Sequence, residues 1–517
     1  MEKKYYFLPS LSDLFFILIF IFLTFIGSSL LKDGDTGFHI RAGEYILENM
    51  SIPRVDIFSY LSPPPEWTAH EWLAEVIMAA AHNLMGLTGV VIFYITLTAF
   101  SFYVLFELLQ KDCNNVILVW LISIFVTICT ALHWLARPHI FSFLILILWH
   151  YIIYSFENGK KNNLIYLPVL MVAWVNLHGG YIIGFVLIGV YFIVNFILGI
   201  WGNLDEKLER KRKAIVYFYI GFVCLLASMI NPFGYKILFF PFNLVKENFL
   251  MANIGEFMPT NMQEALPFKY LFFFTLAVML LVNYKKNHIE IILFILFSYM
   301  ALYSVRYTTL FAIIIAPIIL GRLNFIITNS NNKKVLWFKR RSENISEAEG
   351  KAKGFVWPIL VVLIVIYLGK IGLIEYQIDP KRHPVEAVEF LLKEHIAGKM
   401  FNNDEFGDYL IYAGYPHYKV HFDGRSDMYG SDYVKDYRKV VTLEKGWDEF
   451  LEEKEIGWIF YNSDSPLSRF LLERKEWHLI YSDGLANIYV KNIPEYKYLI
   501  EKYKYVKPML PKKNKES

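Results

Sequence analysis

The sequence predicts a polytopic membrane protein: an all-α bundle of about ten to eleven transmembrane helices followed by an extracytoplasmic domain of mixed α/β character. Three observations carry that prediction. The 517 residues are 56% hydrophobic and 18% aromatic, with a mean hydropathy of +0.37, more apolar side chain than one or two soluble cores can bury. The apolar residues fall in runs that reach the length of about 20 residues a helix needs to cross a hydrocarbon core. Lysine and arginine collect in short segments between those runs and the net charge is only +3, a pattern that argues against a nucleic-acid-binding stripe and for charge-directed membrane orientation.

The first run, residues 12–31, follows Lys3 and Lys4 and lacks a small-residue cleavage site, so it reads as a retained helix. Single spans are expected near 87–109, 214–231, 268–283 and 355–374. The stretches 115–156, 163–201 and 288–321 are too long for one span, and each is interrupted near its middle by polar residues. Each therefore reads as a hairpin. Charge supports this, because Lys111, Lys160 and Lys161 flank the first, Lys207–Lys213 follow the second, and Lys285, Lys286, Arg322, Lys333 and Lys334 flank the third. The loops then assigned to the cytoplasm hold roughly twenty Lys and Arg against about eight opposite them. The expected placement is the cell membrane, with the N-terminus cytoplasmic and the C-terminal domain outside.

Three segments follow from this reading: 1–376 as the transmembrane domain, 377–495 as the α/β domain and 496–517 as a basic tail. Within the first, the outer loop 32–86 is structured. Residues 37–49 place Phe38, Ala42, Tyr45 and Ile46 on one helical face, which predicts an amphipathic helix on the membrane surface. Residues 70–85 predict a second helix leading into the next span, and Pro53 and Pro63–Pro65 enforce turns between the two. In the α/β domain helices are expected near 385–396 and 447–453, and strands at 418–422, 458–461 and 486–491. The tail from Lys502 reads as a solvated end.

Cys113, Cys129 and Cys224 all lie in or beside apolar runs, which excludes a disulfide framework and makes them core filler. The outer side, by contrast, gathers Asp33, Asp35, His39, Glu71, Arg137, His139, Asn176, His178, Glu256 and Arg306. Polar groups at membrane depth are costly and line cavities, so a shared site at the outer leaflet is expected. In the motif KDGDTGFH the carboxylates of Asp33 and Asp35 can share a divalent cation, or one can orient the other or act as general base; Asp-Gly is also an ordinary turn. His70 and Glu71 lack the second histidine of a HExxH zinc helix and are read as cap or cavity lining. His39, His139 and His178 hold a metal only if three distant segments converge. Arg137 and Arg306, nearly isolated in apolar sequence, suit a lipid phosphate or a salt bridge to Asp33, Asp35 or Glu256. Asn176 and His178 adjoin paired glycines. In HFDGRSDMYG, Asp423 and Arg425 are expected to close a turn by a salt bridge, with acceptor or polymer binding as the other reading.

A first span followed by a long outer loop with a DxD-type acid pair and juxtamembrane helices resembles the GT-C superfamily of membrane glycosyltransferases, which includes protein mannosyltransferases, oligosaccharyltransferases and aminoarabinose transferases. The motifs DGDTGFHIRAGEYI, IPRVDIFSY, AHEWL, ARPHIFS, WVNLHGG and DGRSDMY, spread over nearly the whole chain, look like those of a group of prokaryotic members for which the resemblance implies no particular substrate. What the superfamily implies is sugar transfer from a polyprenyl-phosphate carrier to an extracytoplasmic glycan, lipid or protein acceptor. The catalytic acid falls on Asp33 or Asp35, and the motif does not decide between them. Arg137, Arg306 and Lys236 are the phosphate clamp of that reading, and Glu256 stands where a second acid motif is otherwise missing. A lipid-linked-glycan transporter, or a scaffold for surface-polymer assembly, is the alternative that the same residues permit.

Overall fold

In a computed structural model of the chain, described for residues 5, 7–242, 247, 249, 255–264, 266–282, 287–352 and 354–509, the protein is a mostly helical membrane bundle with a small mixed sheet near its C-terminus. The side chains of Leu204, Asp205 and Glu256 fall outside the description, as do Lys3, Lys4, Lys285, Lys286 and the tail from residue 510. Two compact units divide the chain: Met1–Gly27 with Thr88–Val245 and Met251–Glu375, and Ser28–Leu87 with Lys246–Leu250 and Tyr376–Ser517. The loop after the first span thus belongs with the C-terminal segment.

Among the described residues five helices are long and apolar enough to cross a membrane: Trp72–Asp112, whose first residues, up to Leu87, belong to the second unit, and, in the first unit, Val116–His133, His139–Glu157, Gly179–Trp201 and Val305–Asn329. Leu11–Phe25, Tyr166–Leu177, Pro267–Leu281, His288–Tyr303 and Val356–Lys370 are shorter apolar helices. All three predicted hairpin stretches break where their polar residues lie. Ends are set by local chemistry, with a Ser10/Asp13 capping box opening the first helix and Asn115 and Asn287 capping the helices that follow them. The helix Thr308–Asn329 is apolar on nearly every face, as a central helix must be, and packs against Val116–Thr130, Pro267–Leu281 and His288–Tyr303. Two buried polar clusters cross-link the bundle. Arg322 donates to Glu290 at 2.8 Å, and Glu157 accepts from Arg210, Asn195 and Tyr217 at 2.6, 3.0 and 3.0 Å, so the buried carboxylates are paired.

The second unit is built on a sheet of order β1-β2-β4-β3, from β1 (Lys399–Asn402), β2 (Ile456–Asn462), β3 (Trp477–Ser482) and β4 (Ala486–Lys491). β1 and β2 run parallel and the other pairs antiparallel. The burial of β4 on nearly every residue explains its apolar run. Segment 418–422, expected as a strand, joins no sheet: Val420 instead bridges to Ser59, its N–H donating to Phe58 O at 3.0 Å. The outer loop takes the place of a neighbouring strand. Beyond the sheet, Lys497–Lys502 forms a helix, and Tyr496 donates to Ala397 O at 2.9 Å.

The helix expected on the membrane surface starts at Asp35 and runs to Asn49. It is packed on protein instead. A Cβ at Gly37 would lie 2.8 Å from Tyr412 Cβ, and one at Gly43 would lie 1.9 Å from Glu75 O, so only glycine lets this helix approach Asp404–Gly414 on one side and the start of Trp72–Asp112 on the other. That last helix is interrupted at Met85 and Gly86.

Candidate active site

The acid pair opens the helix Asp35–Asn49. Asp33 Oδ1 accepts the Asp35 N–H at 3.0 Å, an Asx turn that starts the helix, and Asp35 becomes its first residue. One turn on, His39 is buried between two carboxylates, with Nδ1 3.1 Å from Glu75 Oε1 and Nε2 3.6 Å from Glu71 Oε2. Glu71 Oε1 in turn lies 3.7 Å from His70 Nε2. His39 and Glu71, singled out in the sequence, do meet. Glu75 was missed, although its place four residues after Glu71 puts both on one helical face. Its other oxygen, Oε2, is buried without a hydrogen-bond partner.

The C-terminal segment supplies the rest of this site. Asp408 is buried, and its Oδ1 accepts the Gly424 N–H at 2.9 Å. A Cβ at Gly424 would sit 2.3 Å from Asp35 Oδ1 and 3.0 Å from Asp408 Oδ2. The two carboxylates therefore flank one α-carbon, and only glycine fits there. Burial, followed by the charges of Asp35 and Asp423, pushes the Asp408 carboxyl well above the usual range.

Beside it stands a buried ionic knot. Arg425 donates to both oxygens of Asp423, from Nε at 2.8 Å and Nη2 at 2.7 Å, and from Nη2 to Asp56 Oδ1 at 2.8 Å. Tyr429 adds a hydrogen bond to Asp423 at 2.7 Å. The guanidinium also lies over Trp67 at 4.6 Å and Phe58 at 5.0 Å, which fits a delocalised cation against aromatic faces. Burial works against the Asp56 charge, but Arg425, Ser59 and the Phe58 N–H outweigh it and hold the carboxyl below its usual value. The expected Asp423–Arg425 bridge is present and reaches further than a turn, into the outer loop.

The remaining candidates lie in the other unit. His139 Nε2 donates to His133 O at 2.8 Å, its ring is 6.3 Å from those of both His133 and His178, and His133 Nε2 donates to Val305 O at 3.1 Å, next to Arg306. Three helix-breaking tips thus converge, with His133 the member that sequence reasoning omitted. His178 Nδ1 accepts the Gly180 N–H at 2.9 Å and faces Ser142 Oγ at 2.7 Å. Because Nδ1 accepts the Gly180 N–H it carries no proton, so the Ser142 hydroxyl, which accepts from Trp174 Nε1 at 2.7 Å, donates to it and the neutral ring carries its proton on Nε2. Asn176 donates to Val172 O and Ile230 O, tying a helix end to the next segment. Arg306 lies 5.4 Å over Phe257. Arg137 follows the turn 131–133, and its N–H donates to Leu135 O at 2.8 Å. Lys236 is exposed on the turn Gly234–Leu238, and the Glu256 side chain lies outside the described residues. Among the described residues no three His, Cys, Asp or Glu form a group that could hold a metal ion.

The fold is shared with solved structures of an archaeal oligosaccharyltransferase. The archaeal oligosaccharyltransferase AglB from Archaeoglobus fulgidus, in complex with an inhibitory peptide and a dolichol-phosphate, matches with a TM-score of 0.58 at 12% identity over 93% of this chain and 75% of that one. The apo form of the Archaeoglobus fulgidus oligosaccharyltransferase matches with a TM-score of 0.56 at 13% identity over the same shares. No protein-family model and no curated protein matches the sequence.

Proposed function

We propose that the protein is a glycosyltransferase that moves a sugar from a polyprenyl-phosphate-linked donor to an acceptor on the extracytoplasmic face of the cell membrane. The observation that carries this reading is the acid pair at the head of the helix Asp35–Asn49, held against Asp408 in a fold shared with oligosaccharyltransferases. One of those neighbours is a complex with a dolichol-phosphate, which supports a lipid-linked donor of the same chemical class.

The chemistry needs little protonation of the leaving group. A carboxylate of the pair takes the proton of the acceptor hydroxyl as its oxygen bonds to the anomeric carbon, and the bond to the phosphate oxygen breaks with its electron pair on phosphate, inverting the centre. Within the first unit, Arg137 and Arg306 offer fixed charge suited to a phosphate group, the Nε2–H of His178 a neutral donor, and Lys236 a mobile one. His39, Glu71, His139 and Asn176 shape the two polar groups around these residues.

The test is transfer by the purified protein in liposomes holding a polyprenyl-phosphate sugar, with product read by mass. Sugar appearing on an acceptor supports the reading. Translocation of the lipid with its head group unchanged supports the transporter instead.

A further inference from the structure

We infer that the exposed face of the helix Lys333–Glu349 is a binding surface for anionic phospholipid head groups, with Lys333, Lys334, Arg340 and Arg341 holding phosphates around an interfacial Trp337. None of these residues takes part in the transfer reading above, and the inference stands without it.

The sequence of this helix, KKVLWFKRRSENISEAE, is divided. Five cations, Lys333, Lys334, Lys339, Arg340 and Arg341, lie in its first nine residues, and its acids Glu343, Glu347 and Glu349 follow. The second half anchors the helix to the bundle. Glu349 takes the Leu11 N–H on both carboxylate oxygens, at 2.7 and 2.8 Å, which satisfies a backbone donor at the start of the helix Leu11–Phe25. Ser342 is buried at a second helix start, where its Oγ accepts the Ile117 N–H at 3.1 Å and donates to Asn115, the cap of Val116–Thr130. Lys333–Glu349 is therefore pinned across the N-termini of two apolar helices. On its other side only residues 330–332 join it to the apolar helix Thr308–Asn329, a link that reaches no more than about 15 Å. The basic half cannot leave the membrane boundary.

What the bundle leaves uncovered is the face opposite Ser342. Lys333, Trp337, Arg340 and Arg341 recur at i, i+4, i+7 and i+8, which puts them on one side of the helix with Lys334 at its edge. All five are exposed, Trp337 at 63%. Arg341 lies over the Trp337 ring at 5.7 Å. Among the described residues Lys333, Lys334, Arg340 and Arg341 make no ion pair, and of the five cations Lys339 alone has one, to Glu343 at 4.0 Å.

A soluble acidic protein would answer those four charges but not the exposed indole or the short tether. A leaflet of anionic lipid answers all three. Phosphates pair with guanidinium and ammonium groups, the indole takes the interfacial position that tryptophan favours, and the charged surface lies within the tether's reach. This is also the end of the bundle that the lysine and arginine distribution assigns to the cytoplasm, where the leaflet carries a negative surface potential.

The full chain, purified in detergent, is titrated with phosphatidylglycerol and with phosphatidylcholine, and bound lipid is counted by native mass spectrometry. Each cation beside an anionic surface is worth about fivefold in binding. The variant Lys333→Gln/Lys334→Gln/Arg340→Gln/Arg341→Gln is expected to lose phosphatidylglycerol that the wild type retains, with an apparent affinity weaker by about tenfold or more, and to bind phosphatidylcholine as the wild type does. Equal phosphatidylglycerol binding by the two proteins would overturn the inference. Depth is read on the folded wild type in vesicles of chain-brominated phosphatidylglycerol, where the fluorescence of Trp337, taken as the difference from Trp337→Phe, is expected to be quenched. Quenching of that difference by aqueous acrylamide alone would place the face in water, fit an acidic partner in solution, and overturn the lipid assignment.

Discussion

Arg425 of the C-terminal segment and Asp56 of the first outer loop are joined by a buried hydrogen bond of 2.8 Å, although 369 positions separate them in the chain. With Asp423 on its other edge, this guanidinium makes loop and domain a single folding unit. Asp56→Ala leaves Arg425 with one carboxylate in a site that excludes water. Loss of one partner from a buried pair costs about 3–5 kcal/mol, so the variant is expected to melt at a clearly lower temperature in detergent and to be cleaved faster by protease within 28–87. An unchanged melting curve would contradict the role given to the knot.

Gly424→Ala tests the contact of the two carboxylates. The added methyl would lie 2.3 Å from Asp35 Oδ1, inside van der Waals contact, and Asp35 must move. Transfer activity is expected to fall by about 10²-fold or more, in line with misplacing a catalytic group by about 1 Å, while expression and melting change little by comparison. Full activity would show that the side-chain positions around Gly424 are not those of the working enzyme.

The pH response of the C-terminal domain follows from His421. Its ring is fully buried among Phe401, Tyr433, Tyr437 and Phe450. Tyr60 donates to Met400 O at 2.6 Å and so accepts from His421 Nδ1 at 2.7 Å. Burial lowers the ring to about 3 from the ordinary 6.5. Between those values the unfolded chain binds the extra proton, so stability is intact above about pH 6.5 and falls as the pH drops, by roughly 2 kcal/mol at pH 5. Thermal melts at pH 7.5 and pH 5 are expected to converge in a His421→Gln variant. A pH response that persists unchanged there would assign it to other groups.

Ser142→Ala removes the hydroxyl that fixes the His178 tautomer. The ring then loses one reason to keep its proton on Nε2, and donor binding should weaken with the chemistry intact. The expected readout is a KM for the lipid-linked donor raised about tenfold, the worth of one neutral hydrogen bond, at a kcat within about twofold. A fall in kcat at constant KM would point to a different task for this pair.

Much of this was legible in the sequence. Hydropathy placed most of the apolar helices, although the expected span 214–231 lies mostly in the longer helix Leu204–Ser228, which opens in charged sequence, and polar interruptions marked where 115–156, 163–201 and 288–321 break, because a helix in lipid can end only where its backbone groups find partners. The four-residue spacing that joins Glu71 to Glu75 was visible as well, but the apolar run around Glu75 hid it. What could not be read was long-range pairing. The face of Phe38, Ala42 and Ile46 looked suited to a membrane surface because nothing local to it names the helix Asp404–Gly414 as its partner. Asp408 sits in DEFGDYL among ordinary surface acids, and it becomes notable only when Gly424 brings Asp35 against it. The bridge between Ser59 and Val420 likewise depends on a strand partner supplied by a loop far away in the chain.

The most direct measurement is sugar transfer by the double variant Asp33→Asn/Asp35→Asn, reconstituted in liposomes with a polyprenyl-phosphate-linked sugar and compared with wild type of matched melting temperature. Loss of product by at least about 10²-fold, the contribution expected of a general base, is the predicted result. Product formed at the wild-type rate by the folded double variant would contradict the account.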